Sequence, residues 1–368
     1  MLKIIISGGG TGGHVFPAIA IARALKEKDE KMDILFVGAK NRMEMEKVPA
    51  ARFKIEGLWI SGLQRRLTFK NLMFPLKLIS SWMRSREILS QFKPNIVVGV
   101  GGYASGPMLY AAAKKGIPTL IQEQNSYPGI TNKLLAKMVD KICVAYEGME
   151  QFFPKEKIIL TGNPVRQDII DLQGKREKGL EFFGLSGGEK VLLVIGGSGG
   201  ARTINESMID NLRVLDENRI QVIWQTGGIY YEQVKQAIKE YKGQSGFKVV
   251  DFIDKMDYAY AAADVVVSRA GAIAVSELCS VGKPTVLIPS PNVAEDHQTK
   301  NAMALVNRNA AVLVKDSEAK EKLATVVIEL MSDDSKRMNL SKNIASMAYN
   351  NSADVIANEV MALVYQRG

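Results

Sequence analysis

The chain has 368 residues, which is enough for two domains that each bury a core. Its composition, 46% hydrophobic and 24% charged, is typical of a soluble globular protein. No apolar run approaches the roughly 18 residues of a membrane span, and no signal peptide is expected. The two cysteines, Cys143 and Cys279, are expected to be buried thiols in a reducing cytoplasm.

The net charge of +9 comes from the first part of the chain. Residues 1–163 hold 24 lysines and arginines against 13 acidic residues, whereas the remainder holds 24 against 26. No acidic residue lies between Glu56 and Glu87. The basic residues of this window are Arg65, Arg66, Lys70, Lys77, Arg84 and Arg86. Because no nucleic-acid-binding module accompanies this charge, nucleic acid is not an expected partner.

Large apolar side chains are mixed with the basic ones over residues 63–86. This mixture predicts attachment to an anionic membrane surface. The alternative is a solvated basic face over an ordinary core helix, with Leu76, Ile79 and Met83 turned towards the core.

Short apolar strands alternate with helical patterns along the whole chain, which predicts an α/β protein with parallel sheets. In the first half, strands are predicted near 3–7, 33–38, 96–99, 118–121 and 141–145, and helices at 17–28 and 131–138. In the second half, strands are predicted near 191–195, 221–225, 248–250, 265–267, 285–288 and 311–314. Helices are predicted there at 202–215, 232–241, 273–281 and 299–307, with further helices from about 335 to 366.

A loop with the sequence TGNP at 161–164 separates the two halves, since glycine, asparagine and proline interrupt regular structure. The expected domains are therefore residues 1–163 and 164–340. The C-terminal helix, about 341–368, is expected to pack back on the first domain.

Each half opens with a glycine-rich turn that follows a strand. The first turn, GGGTGGH, occupies residues 8–14, and the second, GGSGGA, occupies residues 196–201. A strand, a tight turn and a helix N-terminus in this order present backbone N–H groups to an anion or a sugar. Two such turns at matching places predict a pair of nucleotide-type domains that face each other across a cleft.

The first turn also satisfies the dinucleotide pattern G-x-G-x-x-G through Gly8, Gly10 and Gly13. A site for NAD should place an acidic residue at the end of the next strand, to bind the ribose 2′-hydroxyl. That strand ends in FVGAK at 36–40, without an acid. An NAD-dependent oxidoreductase therefore stays only as a less favoured alternative.

Polar residues follow other strands. His14, at the start of a helix, can accept a proton from a sugar hydroxyl, although a hydrogen bond that merely ties the turn is the alternative. His297 has no second histidine or cysteine at ligand spacing, so a metal is not expected there. A third glycine turn at 99–103 and the segment QEQN at 122–125 also follow strands, and we expect both at the carboxyl edge of the sheet.

In the second half, the segment SRAGA at 268–272 leads from a strand into a helix that carries Glu277. A carboxylate there can accept hydrogen bonds from a ribose diol. The alternative is that this acid is present only because its charge interacts favourably with the helix dipole. Arg166 follows the interdomain loop and can contact a diphosphate through two N–H groups.

Taken together, these segments resemble one family. GGGTGGHVFPA, GGYASGP, EQN, GNPVR, GGSGGA, SRAGAIAVSE and DHQTKNA stand in the order seen in MurG-type enzymes, and they span residues 8–302. Those enzymes transfer N-acetylglucosamine (GlcNAc) from UDP-GlcNAc to lipid I, which gives lipid II in peptidoglycan synthesis. The resemblance implies the GT-B fold, two Rossmann-like domains with parallel sheets facing across a cleft that holds the active site.

The resemblance also implies roles for individual residues. The residues implied to bind UDP-GlcNAc are Thr11, Gly12, Gly13, Asn125, Arg166, Ser198, the backbone of Ile253, Ala272, Ile273, Ala274, Val275, Ser276, Glu277 and Gln298. Those implied for the acceptor side are His14, Gly101, Gly102, Tyr103 and Glu123. Gly199 stands where glutamine is often found, and His297 stands where some relatives have glutamine.

The implied reaction is an inversion in which the muramyl 4-hydroxyl displaces UDP. His14 is the first candidate for the general base and Glu123 the second. No Asp-x-Asp pair is present, so neither a metal nor another cofactor is required. The implied partners are UDP-GlcNAc, lipid I and an anionic membrane, with the enzyme peripheral on the cytoplasmic face. Another lipid glycosyltransferase of the same fold and a catalytically silent nucleotide-sugar sensor stay open as alternatives.

Overall fold

A computed structural model of the chain describes residues 1–62, 73–241 and 246–367. Arg65, Arg66 and Lys70 of the predicted basic window lie outside the described residues. The backbone divides into two compact units. The first unit is Met1–Val165 together with Asn351–Gly368, and the second unit is Arg166–Asn350.

The first unit is built on one parallel sheet. Its strands are β1 (Lys3–Ser7), β2 (Asp33–Ala39), β3 (Lys54–Leu58), β4 (Ile96–Gly99), β5 (Thr119–Glu123), β6 (Lys141–Val144) and β7 (Ile158–Leu160). Its helices are α1 (Gly12–Lys28), α2 (Glu44–Ala50), α3 (Phe74–Phe92), α4 (Ser105–Lys114), α5 (Ile130–Leu135) and, from the C-terminal segment, α15 (Ser352–Arg367). The strand order is β3-β2-β1-β4-β5-β6-β7.

The second unit repeats this plan. Its strands are β8 (Lys190–Ile195), β9 (Ile220–Gln225), β10 (Phe247–Val250), β11 (Val265–Ser268), β12 (Thr285–Leu287) and β13 (Val312–Leu313). Its helices are α6 (Arg176–Phe183), α7 (Arg202–Asp210), α8 (Leu212–Glu217), α9 (Tyr231–Tyr241), α10 (Met256–Ala262), α11 (Ala272–Val281), α12 (His297–Val306), α13 (Ala319–Ser332) and α14 (Asp334–Ala345). The strand order is β10-β9-β8-β11-β12-β13.

Helices cover both faces of the first sheet, as uninterrupted apolar strands require. Ile4 and Ile6 pack with α1 and α15, while Ile5 packs on the opposite face with α3 and α4. α15 is also held by an ion pair of 3.4 Å between Lys28 and Asp354. The C-terminal helix is therefore part of the core of the first unit.

The predicted elements are present, with three informative differences. α1 begins at Gly12 rather than at residue 17, so the glycine turn itself supplies the helix N-terminus. The helix predicted at 202–215 is interrupted at Asn211, whose Nδ2 donates to the carbonyl of Ser207 and competes with the helical pattern. The edge strands β3 and β7 were not predicted, because an edge strand lacks a continuous buried apolar run.

In a parallel sheet all strands end at the same edge, and that edge is where ligands bind in α/β proteins. The turns after β1, β4 and β5 therefore share one edge of the first unit, and the turns after β8, β9 and β11 share one edge of the second. Among the described residues, no helix is both long and apolar enough to cross a membrane.

Candidate active site

Two glycine turns touch each other in the first unit. The amide of Gly9 donates to the carbonyl of Gly101 at 3.3 Å. Gly102 has a φ of +82°, and a Cβ at this position would lie less than 3.0 Å from the carbonyl oxygen of Gly9. Only glycine allows this backbone contact. The structure thus brings together the turns that the sequence predicted at residues 8–14 and 99–103.

His14 lies at the junction of these turns, in the first turn of α1. Its Nδ1 is 3.2 Å from Oγ1 of Thr11, which is exposed. Its ring lies against Gly101, where an added Cβ would approach Cδ2 and Nε2 to less than 3.0 Å. The contact with Thr11 orients the imidazole ring through Nδ1. Gly12 and Gly13 are the first two residues of α1, and helix geometry leaves their N–H groups without intrahelical partners.

Tyr103 extends the same edge and is 49% exposed. Its ring lies on Gly62, where an added Cβ would approach the Tyr103 Cζ and hydroxyl to less than 3.0 Å. Gly62 therefore shapes the site without any motif that would reveal it in the sequence.

Glu123 is buried, and both of its carboxylate oxygens accept hydrogen bonds. Oε1 accepts from the amide of Asn125 at 3.0 Å and from its Nδ2 at 3.2 Å. Oε2 accepts from the amide of Gly129 at 3.1 Å and from Nδ2 of Asn132 at 2.7 Å. Burial raises the pKa of Glu123, and these hydrogen bonds oppose the rise. This geometry favours Glu123 as the residue that shapes the loop 125–132, rather than as a base that meets a hydroxyl group.

Three buried amides lie beside Glu123. Nε2 of Gln122 donates to Oδ1 of Asn163, and Nδ2 of Asn163 donates to the carbonyl of Gln124, both at 2.9 Å. Nε2 of Gln124 donates to the carbonyl of Val100 at 2.8 Å. This network fixes the turn after β4 and the end of β5 to the segment that precedes Arg166.

The glycine turn of the second unit precedes α7. Ser198 is exposed at its tip. Gly200 has a φ of +75°, and a Cβ there would lie less than 3.0 Å from the carbonyl oxygen of Thr226. Gly199, in contrast, has open space around its Cβ position, so packing does not require glycine there.

Gln225, at the end of β9, connects this turn to Ile253. Its Nε2 donates to the carbonyl of Gly197 at 3.1 Å, and its Oε1 accepts from the amide of Ile253 at 2.9 Å. The N–H group of Ile253 is therefore engaged within the protein. Gln225 was not predicted as a site residue, although its place at the carboxyl end of a strand was the available signal.

Arg166 lies between two carboxylates of the second unit. Its Nε is 3.5 Å from Oδ1 of Asp168 and 3.8 Å from Oε1 of Glu277. Burial raises the pKa of Glu277 to about 7, against the opposing effect of the Arg166 charge. The hydroxyl of Tyr260 stands 3.5 Å from Oε2 of Glu277. Glu277 is thus an acid that changes charge near neutral pH, next to a cation.

The remaining predicted donor residues lie on two helices. Val275 is buried, so only its backbone can face a ligand. The other residues of this turn are half-buried: Ala272, Ile273, Ala274 and Ser276. Gln298 begins α12 together with His297, and its Oε1 accepts from the amide of Ser290 at 2.8 Å. Because Oε1 of Gln298 faces Ser290, the NH₂ group of the same side chain points away from Ser290.

Within the described ranges, no group of three or more histidine, cysteine, aspartate or glutamate side chains could hold a metal ion.

Family models match both units. The model of the glycosyltransferase family 28 N-terminal domain matches residues 4–144, and the model of its C-terminal domain matches residues 191–358. Together these ranges cover the turns described above.

Curated relatives match over nearly the whole chain. A protein of Parabacteroides distasonis is 54% identical over 98% of this chain and 98% of its own length. A protein of Cytophaga hutchinsonii is 56% identical over 98% of this chain and 97% of its own length. Both bear the name UDP-N-acetylglucosamine--N-acetylmuramyl-(pentapeptide) pyrophosphoryl-undecaprenol N-acetylglucosamine transferase.

Solved structures agree with the fold. The crystal structure of MurG from Acinetobacter baumannii aligns with a TM-score of 0.80 at 25% identity, over 98% of this chain and 100% of that chain. A UDP-GlcNAc 2-epimerase from Neisseria meningitidis bound to UDP-GlcNAc aligns with a TM-score of 0.67 at 14% identity, over 98% and 100% of the two chains, which shows the fold alone. The chain has the GT-B fold, and it belongs to glycosyltransferase family 28 and to the MurG family within it.

Proposed function

We propose that this chain is an inverting glycosyltransferase that moves GlcNAc from UDP-GlcNAc to the 4-hydroxyl of the muramyl sugar of lipid I and forms lipid II. The observation that carries this proposal is the 54% identity, over 98% of both chains, to a relative named for that transfer. The chain is therefore an enzyme of peptidoglycan synthesis. Neither an oxidoreductase nor a silent sensor agrees with that relative.

The second unit supplies most of the donor contacts. Ser198 and the N–H groups at the start of α7 face the diphosphate, together with Arg166. The carbonyl of Ile253 accepts the uracil N3–H, since its own N–H is bound to Gln225. Glu277 accepts the ribose hydroxyls, and the NH₂ group of Gln298 donates to the sugar. These roles are those that the family resemblance implies, and the placement of Ser198, Ile253, Glu277 and Gln298 after strands of the second sheet supports them.

His14 takes the proton of the attacking 4-hydroxyl, through Nε2. Thr11 holds the opposite ring nitrogen, which keeps the imidazole in one orientation. Negative charge grows on the departing diphosphate, and each preorganised donor that faces it contributes on the order of 3 kcal/mol to the transition state. Asn125 orients the donor sugar through a side chain that Glu123 fixes.

The pH dependence of donor binding tests the role of Glu277. Ionised Glu277 accepts hydroxyl protons and its protonated form does so poorly. Because its pKa is raised to about 7, we expect the affinity for UDP-GlcNAc to rise with pH through neutrality. The rise should approach about tenfold between about pH 6 and pH 8. Titration calorimetry without acceptor measures it, and UDP-GlcNAc is the suitable ligand because its diphosphate is doubly esterified and has no pKa in this range.

Glu277→Gln is the matched control, because the amide keeps the shape without the titration. Its affinity should be lower and nearly independent of pH, and an unchanged pH slope would contradict the assignment.

The raised pKa of Glu277 also affects the stability of the protein. The native chain binds more protons than the unfolded chain between the ordinary pKa of 4.5 and about 7, so the free energy of unfolding falls as pH rises through that window. This decline should be absent in Glu277→Gln.

We propose further that α3 binds an anionic membrane surface, which makes the enzyme peripheral on the cytoplasmic face. The alternative of an apolar stripe facing the core does not fit the structure. Leu76, Ile79 and Met83 are 60%, 55% and 61% exposed. Lys77 stands beside them, 5.7 Å from the centre of the Trp59 ring. Arg84 contributes less free charge than the sequence indicated, since it pairs with Glu56 and Glu87.

Replacement of Leu76, Ile79 and Met83 by serine should release the protein from vesicles that contain phosphatidylglycerol. Burial of one large apolar side chain contributes roughly 1.5–3 kcal/mol, so even partial insertion of three predicts at least a tenfold weaker partition. Cosedimentation measures this partition. Phe182→Ser with Met338→Ser, two exposed apolar residues of the second unit, is the control. Equal binding by the triple variant and the unmodified chain would show that these residues of α3 do not form the membrane-binding site.

A further inference from the structure

Glu44 is a buried carboxylate at the first glycine turn. It is the first residue of α2 and is 1% exposed. Its Oε2 accepts from the amide of Gly10 and its Oε1 accepts from the amide of Ala39, both at 2.9 Å. β2 ends at Ala39 without an acidic residue, and Glu44 follows five residues later. Its carboxylate accepts hydrogen bonds from backbone amides of the protein.

The surrounding backbone is shaped to admit this carboxylate. A Cβ on Gly9 would lie less than 3.0 Å from both Glu44 oxygens, and a Cβ on Gly38 would lie less than 3.0 Å from its Cγ. Gly9 and Gly10 have φ values of +150° and +92°, which side-chain-bearing residues rarely adopt. Two glycines thus leave the space that Glu44 fills, and a third donates to it.

Glu44 also changes what this turn can bind. In a dinucleotide site, the backbone N–H groups of the glycine turn face a pyrophosphate. Here the N–H of Gly10 faces an internal carboxylate, which would repel a phosphate at the same place. The Glu44 carboxylate therefore occupies the position at which a dinucleotide site would bind a phosphate. The opposite side of the turn rests on Gly101 and Gly102 and continues directly into Thr11 and His14.

We propose that Glu44 is a positioning residue for glycosyl transfer. It holds the backbone of Gly9 and Gly10 in one conformation, so that Thr11 and the His14 imidazole have a fixed orientation, and it does not touch either substrate itself. The inference rests on the proposed role of His14 as the general base. Misplacement of a catalytic group by about 1 Å is enough to lower a rate by on the order of 100-fold.

The test compares Glu44→Ala and Glu44→Gln with Asp140→Ala. Asp140 is a matched control because its carboxylate accepts from the amide and hydroxyl of Thr119, at the opposite edge of the same sheet. For Glu44→Ala we expect kcat to fall by on the order of 10- to 100-fold, with KM for UDP-GlcNAc changed less than about threefold. Glu44→Gln offers only one acceptor oxygen, so its kcat should lie between those of the unmodified chain and Glu44→Ala. Asp140→Ala should lose thermal stability but keep its kcat.

A double mutant separates positioning from general destabilisation. If Glu44 acts through His14, Glu44→Ala should lower kcat much less in a His14→Ala background than in the unmodified chain. Fully multiplicative effects, or a kcat of Glu44→Ala equal to that of Asp140→Ala, would overturn the inference. An unaffected kcat in His14→Ala alone would instead refute the proposed base. If Glu44→Ala does not fold, the same comparison is made with Glu44→Gln.

Discussion

His14→Ala is expected to lower kcat by on the order of 100- to 10,000-fold, which is the range that general-base catalysis contributes. The muramyl hydroxyl is a weak nucleophile until its proton is removed, and we proposed above that Nε2 of His14, at the glycine turns of the first unit, accepts this proton. The donor contacts proposed above lie mainly in the second unit. KM for UDP-GlcNAc should therefore change less than about threefold.

His14→Asn distinguishes lost basicity from a lost contact. The asparagine amide can keep a hydrogen bond to Thr11 but cannot accept the proton, so this variant should be nearly as slow as His14→Ala. The rate of lipid II formation from lipid I and labelled UDP-GlcNAc, measured across pH, is the assay. The acidic limb of the kcat profile should be absent in both variants. A normal rate in His14→Asn would assign His14 a purely structural role.

Gly102→Ala is expected to destabilise the first unit strongly. The added Cβ meets the backbone oxygen of Gly9, which cannot rotate away as a side chain would, and φ at Gly102 is +82°. The backbone strain alone costs about 1–3 kcal/mol, and the clash adds to it. We expect the free energy of unfolding of the first unit to fall by more than about 3 kcal/mol.

Gly116→Ala separates the two contributions, because Gly116 has a φ of +71° but open space at its Cβ position. It should cost only the backbone strain, about 1–3 kcal/mol. Hydrogen exchange of the amides of β1 and β4, measured by mass spectrometry, reports on the first unit alone. Equal losses in the two alanine variants would show that the contact between the glycine turns contributes nothing to stability.

The strand pattern and the glycine turns were predictable because their signals are local. A run such as 191–195, followed at once by GGSGGA, defines a strand, a turn and a helix start within a few residues. The order of the motifs along the chain was equally informative for the family. These features need no knowledge of what packs against them.

Features that depend on distant contacts were not predictable. Glu44 begins a short helix, and only the folded backbone shows that its carboxylate reaches Gly10. Gln225 belongs to no motif, because its two partners lie 28 residues away in opposite directions along the chain. The apolar positions of α3 have the same helical period whether they face the core or solvent. The exposure of Leu76 and Ile79 therefore emerged only from the structure.

The return of α15 to the first unit affects the order in which the units can be completed during synthesis. The second unit, Arg166–Asn350, has all of its residues before α15 is translated. The first unit does not, because Ile356 and Val360 fill the same core as Ile4 and Ile6. Until those side chains arrive, the apolar cover on that face of the sheet is incomplete, although α1 already packs there. The core of the first unit is thus completed only after the whole second unit has been translated, and part of its apolar surface stays exposed until then.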